Sequence, residues 1–150
     1  MLLMKLLFYI LPIFAGIAMT IQSGVNSQLR VATNHPLVAT FISFLGGILA
    51  ICLLLFFSRQ PLPPFSTYPA ISWYKFTGGL FGVFVVYAVI FSVKEIGVAN
   101  MFVLIIAGQM FTAVIMDHFG FLGMRESPVT MQKLAGILFL IAGAYLVNKK

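Results

Sequence analysis

The polar side chains with the greatest chemical potential in this sequence lie inside apolar segments. Gln109 stands near the middle of the apolar stretch 97–123, directly after Gly108, and Asp117 and His118 stand near its end. An amide in hydrocarbon needs a partner on another helix or in a wet cavity, and an intramembrane carboxylate marks a candidate functional site. We therefore predict that Gln109 contacts a substrate and that Asp117, with His118 beside it, is a coupling or charge partner.

Each of these residues also has a purely structural interpretation. A hydrogen bond between helices, worth about 1 kcal/mol, explains Gln109 equally well. Asp117 lies within about one turn of the end of its segment, where a carboxylate can reach water, so a structural role is the favoured alternative there. A neighbouring histidine that titrates near neutral pH would still allow a proton relay. Candidate charge partners of Asp117 are Arg30, Lys94 and Arg125.

A second group of polar residues lies in the first apolar segment. Gln22, Asn26 and Arg30 recur at intervals of four residues, with Ser23 and Ser27 beside them. Residues four apart share one face of a helix, so this pattern predicts a polar stripe. We predict that Gln22 and Asn26 contact substrate in a shared polar cavity and that Arg30 is a further charge partner. The alternative is hydrogen bonding between helices near the membrane interface.

The composition places the chain in a membrane. Of 150 residues, 61% are hydrophobic and only 8% are charged, far from the average of soluble domains. The net charge of +6 comes from nine lysines and arginines that stand singly between apolar blocks, which argues against a nucleic-acid partner and for anchors at the lipid bilayer. The sequence has no nucleophile elbow, metal-spaced cluster or phosphate-binding loop, so we expect neither an enzyme nor a cofactor or metal.

The hydrophobic pattern predicts the fold class: an all-α integral membrane protein with one domain, residues 1–150, of five transmembrane helices. Segments of about twenty apolar residues are long enough to cross the bilayer. The predicted spans are about 6–30, 36–57, 73–93, 98–119 and 129–147. The first is expected to be retained as a span. The proline-rich connector 58–74 is predicted to be extended, neither helix nor strand, and Ser127 and Pro128 are predicted to cap and start the fifth helix.

Glycines in three spans are predicted to allow close helix packing. Gly78 and Gly82 form a GxxxG pair in span 3, Gly136 and Gly143 are one heptad apart in span 5, and Gly108 lies in span 4. Small residues let helix backbones approach each other in a membrane, where no hydrophobic force separates protein from lipid.

The basic residues are divided almost equally between the two sides of a five-span protein. One side would carry five and the other four, namely Lys5, Arg59, Lys75, Arg125 and Lys133 against Arg30, Lys94, Lys149 and Lys150. Because orientation follows the bias in lysine and arginine, this balance predicts insertion both ways round. Two inverted copies would form an antiparallel homodimer in which each chain is half of a ten-helix inverted-repeat transporter. The alternatives are a single topology and a heterodimer with a paralogue.

Several short motifs, in order along the chain, resemble a known family. They are Asn26-Ser-Gln-Leu29, His35-Pro36-Leu37, Ser43-Phe44, Ala107-Gly108-Gln109 and Asp117-His118-Phe119-Gly120. Together with five spans they are similar to the bacterial YdcZ-like branch of the drug/metabolite transporter superfamily. The resemblance implies a carrier of small metabolites. Span 1 has no carboxylate, unlike that of the four-helix multidrug exporters of the superfamily, which argues against the exchange of hydrophobic cations for protons.

These observations predict a transporter of the bacterial inner membrane. We expect it to carry a small polar or zwitterionic metabolite by alternating access, with spans 1 and 4 lining the cavity. One alternative is an interaction or assembly subunit whose polar groups only hold helices together. Another is a dual-topology ion channel.

Overall fold

The computed structural model describes residues 2–148, and side chains from residue 6 to residue 147. These residues form α-helices and shorter helical turns and no strand, which confirms the predicted all-α class. The α-helices are α1 (Leu2–Thr33), α2 (Pro36–Ser58), α3 (Gly78–Ile96), α4 (Val98–Phe119) and α5 (Met131–Asn148).

Four helical segments are long and apolar enough to cross a membrane: Leu6–Thr33, Pro36–Ser58, Trp73–Ile96 and Val98–Phe119. Their positions agree with the first four predicted spans. The apolar part of α5, Met131–Val147, is shorter and lies at the lower end of the length range of transmembrane helices. A fifth crossing therefore stays a prediction.

The chain divides into two compact units, Met1–Lys94 and Glu95–Lys150. In the first unit α1 packs against α2. Only two residues separate these helices, and Asn34 makes the reversal possible with a left-handed backbone (φ 51°). Pro36 then starts α2 with its fixed φ, as expected for a first helical position. His35 is the N-cap residue in extended conformation, without a capping bond from its side chain.

The proline-rich connector is partly helical, so its prediction as a purely extended segment was wrong. It contains two 3₁₀-helices, Phe65–Ala70 and Trp73–Thr77. Bonds between residues three apart close these turns, as from Ile71 N–H to the Tyr68 carbonyl at 3.0 Å. Pro69 fits inside the first 3₁₀-helix because few N–H groups donate hydrogen bonds in so short a turn, and proline has no N–H. The second turn continues directly into α3, so the apolar segment begins at Trp73 although the α-helix begins at Gly78.

In the second unit α4 packs against α5. The end of α4 at Phe119 agrees with the prediction, and Gly120 follows as a left-handed C-cap (φ 60°). Glycine takes this conformation without steric cost, and it also makes room for a neighbour: a Cβ at Gly120 would lie 2.8 Å from Glu126 Cγ.

The predicted start of α5 was wrong. The helix begins at Met131, and Thr130, not Ser127, occupies the capping position: its Oγ1 accepts the N–H of Lys133 at 3.3 Å. Ser127 lies too far before Met131 to cap the helix. Its carbonyl and hydroxyl oxygens both accept from Lys133 Nζ at 2.8 Å, and Pro128 lies before the helix rather than in its first turn.

Candidate functional site

The polar stripe of α1 is divided by its environment. Ser23 and Asn26 are buried, with 2% and 5% of their surface exposed, whereas Gln22 is exposed. The Ser23 hydroxyl donates to the carbonyl of Thr20 on its own helix at 2.9 Å. The amides of Gln22 and Asn26 form no hydrogen bond with any side chain or backbone group that the structure describes. Both predicted substrate contacts therefore keep their hydrogen-bonding capacity.

Gln22 lines a cleft of about 200 Å³ in the first unit, between α1, α2 and α3. The other lining residues are Ser43, Phe44, Gly47, Ile48, Ile51 and Val86. The polar groups of this cleft are the Gln22 amide and the Ser43 hydroxyl, and neither bonds to another group within residues 6–147. The rest of the lining is apolar or glycine, and no lining residue is charged.

The cleft lies about half the thickness of a bilayer core from the α1–α2 turn. Gln22 precedes the end of α1 at Thr33, and Gly47 follows the start of α2 at Pro36, by the same number of residues. At about 1.5 Å per residue both are roughly 16 Å from the α1–α2 turn, against a hydrocarbon core of about 30 Å. With the turn at the membrane surface, the cleft would be near the bilayer midplane, where carriers bind their substrates.

Arg30, predicted as a charge partner, is bonded to α3. Its Nη1 donates to the carbonyls of Ile90 and Phe91, both at 2.8 Å. Its Cζ also lies 5.5 Å from the centroid of the Phe91 ring. These carbonyls lie inside α3, more than one turn before its end at Ile96. Arg30 therefore holds α1 to α3, and its role in coupling stays a prediction.

In the second unit, Gln109 is exposed on α4, and its amide is unbonded among the described residues. Asp117 is half-buried, and its carboxylate has no ion pair within the described part of this unit. Its backbone carbonyl accepts the N–H of Ser127 at 2.8 Å. His118 Nδ1 accepts the N–H of Val129 at 3.3 Å, so in this state the proton of a neutral ring is on Nε2.

His118 therefore fastens the α4–α5 connector through Nδ1, and the carboxylate of Asp117 is available for other partners. The proton relay between the two residues stays a prediction. Lys133 fastens the same connector, with a further bond from Nζ to the Pro128 carbonyl at 3.1 Å. Sequence reasoning missed Lys133, because a lysine beside a predicted helix start resembles an ordinary interfacial charge.

Among the glycines predicted to pack helices, Gly82 faces a neighbouring helix. A Cβ at Gly82 would lie 3.7 Å from Cζ of Phe44 on α2, an ordinary contact distance. A Cβ at Gly78, Gly108, Gly136 or Gly143 would meet no atom within 4 Å. Gly143 also lines an apolar cleft of about 240 Å³ between α4 and α5. Packing at these four positions stays a prediction.

Comparison with known protein families matches residues 7–146 to the family described as "Putative inner membrane exporter, YdcZ". The chain belongs to the YdcZ family. Among known proteins, inner membrane protein YdcZ of Escherichia coli (strain K12) is 25% identical over 142 residues, which is 92% of each chain. No solved structure matches. The predicted resemblance and the predicted inner-membrane location are thus confirmed, and membership of the YdcZ family supports a membrane transporter rather than an enzyme.

Sequence reasoning found the polar groups of the cleft but not its walls. Gln22 was predicted from its spacing, and Ser43 stood in one of the YdcZ-like motifs. Ile48, Ile51 and Val86 gave no signal, because apolar residues of a transmembrane helix look the same whether they face lipid or a cleft. Among the described residues, no group of three or more His, Cys, Asp and Glu is placed to hold a metal ion.

Proposed function

We propose that this chain is a carrier that moves a small metabolite across the inner membrane by alternating access, as a homodimer of two inverted copies. The observation that carries the proposal is the unbonded amide of Gln22 in a cleft between three apolar helices, in a member of the YdcZ family. An amide in an apolar environment costs free energy unless it is hydrogen-bonded. A substrate that enters the cleft, or water when the cleft is empty, would supply the bond.

The three amides have a common role in this proposal. Gln22, Asn26 and Gln109 contact polar atoms of the substrate, and each has bonding capacity that no described residue uses. Asp117 exchanges a proton or pairs with a charge, because its carboxylate is half-buried and unpaired within its unit. His118 supports it as the adjacent titratable group.

The exposed amide of Gln109 favours a dimer. Gln109 is exposed on α4, and an unbonded amide facing lipid would be costly. A second copy would cover this amide, and the nearly balanced basic residues favour an inverted one. In that balance, Lys149 and Lys150 lie outside the described residues.

Counterflow in proteoliposomes tests the carrier proposal. Purified protein is reconstituted, liposomes are loaded in turn with neutral, zwitterionic, anionic and cationic metabolites, and entry of the labelled compound is followed. A carrier gives saturable exchange of at least one compound. Gln22→Ala and Gln109→Ala should slow it about tenfold or more, and Gln60→Ala, an exposed amide in the connector, should not. Conductance without exchange would indicate a channel, and full activity of both variants would reject the site.

Labelling from the two sides of the membrane tests the inverted dimer. Cys52 is the single cysteine of the chain, so Cys52→Ser gives a background free of thiols. In that background, Gln60→Cys is treated with an impermeant maleimide in intact cells and in inverted vesicles. Two insertion orientations predict labelling of about half of the protein from each side. Labelling from one side alone would contradict the antiparallel arrangement.

A further inference from the structure

The cleft between α1, α2 and α3 limits what this protein can bind. We propose that it takes an uncharged, mainly apolar molecule about the size of one substituted aromatic ring, which presents one hydrogen-bonding group to Gln22 and Ser43. This inference deepens the proposed carrier function and rests on it. The sequence predicted a polar or zwitterionic metabolite. The inference narrows that class, because an uncharged ligand is not a zwitterion.

The lining of the cleft offers no charged partner to an ionic ligand. The three acidic residues of the chain, Glu95, Asp117 and Glu126, all lie beyond this unit, so a cation in the cleft would find no carboxylate there. For an anion the nearest guanidinium along α1 is Arg30, two turns beyond Gln22, and its Nη1 is already bonded to α3. A charge buried without a partner is far more costly than a neutral polar group.

The size of the cleft sets the size of the ligand. An engineered apolar cavity of about 150 Å³ in another protein binds benzene, and this cleft measures about 200 Å³. A ring with one small substituent therefore fits. Phe44, Ile48 and Val86 supply apolar contacts from two helices, and Gly47 leaves space because nothing lies within 4 Å of where its Cβ would be.

The two polar groups define the ligand's single polar end. Gln22 on α1 can donate and accept, Ser43 on α2 can do the same, and both are unbonded within the described chain. A lipid acyl chain could fill the apolar part but would leave both groups unpaired. A lipid headgroup would have to leave the interface to reach them, because Gln22 lies about 16 Å along α1 from the α1–α2 turn. A primary amide, an alcohol or a phenol satisfies them and remains uncharged.

Three probes of nearly equal shape test the charge requirement: 4-fluorobenzamide, 4-fluorobenzamidinium and 4-fluorobenzoate. Each is titrated with the full-length protein in detergent micelles, and the ¹⁹F line width is recorded. We expect saturable broadening with the benzamide, and dissociation constants at least tenfold weaker for both ions. Gln22→Leu keeps the side-chain bulk and removes the amide, and it should weaken benzamide binding about tenfold.

A matched pair of glycine variants separates the cleft from the micelle. Gly47→Leu fills the cleft and should abolish saturable broadening, whereas Gly46→Leu, at a neighbouring position that does not line the cleft, should retain it. Helical content and elution volume confirm that each variant is folded, and Gln22→Ala serves if a leucine variant is not. Binding of either ion as tight as that of the benzamide, or equal broadening with Gly47→Leu, would overturn the inference.

The outcome for this inference is separable from the outcome for the carrier. If a metabolite exchanges in counterflow but the benzamide does not bind, the substrate class is wrong and the carrier stands. If the benzamide binds and no compound of the panel exchanges, including the benzamide itself, the cleft is a binding site and the carrier proposal fails.

Discussion

Replacing Arg30 should lower the free energy of unfolding of the protein, and the size of the loss can be estimated from the contacts of Arg30. In Arg30→Gln the charge is lost, and the shorter side chain cannot reach the Ile90 and Phe91 carbonyls that Nη1 bonds at 2.8 Å. Both carbonyls lie inside α3, which continues to Ile96, so they keep their helical hydrogen bonds. The variant therefore loses the attraction between α1 and α3 without leaving a buried acceptor unpaired.

The expected loss is about 2.5–3 kcal/mol of unfolding free energy. Hydrogen bonds between transmembrane helices contribute on average about 0.6 kcal/mol and at most about 1.7 kcal/mol, and bonds from a charged donor are the stronger ones, so we take about 1 kcal/mol for each. The contact of the guanidinium with the Phe91 ring adds about 0.5–1 kcal/mol, the value for exposed sites, because Phe91 is 52% exposed.

The assay is reversible unfolding by sodium dodecyl sulfate in mixed micelles, followed by circular dichroism. Lys75→Gln is the matched control, because Lys75 is exposed and lies 6.0 Å from the Tyr74 ring. It should cost no more than about 1 kcal/mol, as expected for an exposed contact. A double-mutant cycle with Phe91→Leu isolates the ring contact, and most of the cost of Arg30→Gln should remain when the Phe91→Leu substitution is already present.

An Arg30→Gln protein with the unfolding midpoint of the wild type would refute this reasoning. So would a cost that disappears entirely in the cycle with Phe91→Leu, because the two carbonyl bonds would then contribute nothing. If Arg30→Gln retains stability and loses transport in counterflow, Arg30 is a coupling residue, as the sequence predicted, and not a structural one.

Three further predictions concern the second unit. His118→Leu removes the acceptor of the Val129 N–H and should speed hydrogen exchange of that amide about fivefold to tenfold, equivalent to about 1 kcal/mol, whereas His118→Asn, which keeps an acceptor near Nδ1, should not. Gly120→Ala should lower the unfolding free energy by about 1–3 kcal/mol through its left-handed backbone and the Glu126 contact, and Glu126→Ala should recover part of this loss. Gly143→Ala should be neutral or stabilise α5 by up to about 1 kcal/mol, unless a second copy packs there, in which case cross-linked dimer decreases.

The apolar helices could be predicted because hydrophobic length and composition act locally. Four spans and the end of α4 at Phe119 followed from the sequence pattern and from Gly120. Two boundaries could not, because the same residues are compatible with more than one local structure. Ser127 resembles an N-cap, but its oxygens accept from the ammonium of Lys133, and Thr130 caps the helix three residues later. In the connector, prolines at 64 and 69 fit a 3₁₀ turn as well as an extended chain.

The candidate site was predictable to the extent that polar residues are rare in a membrane segment. Gln22 and Gln109 were found because an amide among apolar residues needs a hydrogen-bonding partner. The function of Arg30 could not be read in the same way, since its partners are backbone carbonyls of α3, which any sequence supplies. The apolar walls of the cleft also escaped, because their role depends on which helices meet.

The two-residue turn between α1 and α2 has a consequence for biogenesis. A turn of two residues, Asn34 and His35, is too short for α1 to enter the bilayer while α2 remains outside. The two helices should therefore integrate together as a hairpin. Once the hairpin is inserted, both ends of the pair lie on one side and the turn on the other. The direction of the protein would then be chosen in a single step early in synthesis, when Lys5 and Arg30, and soon Arg59, have left the ribosome. Substitution of these few early cations should therefore redirect the whole chain more strongly than substitution of any later lysine or arginine.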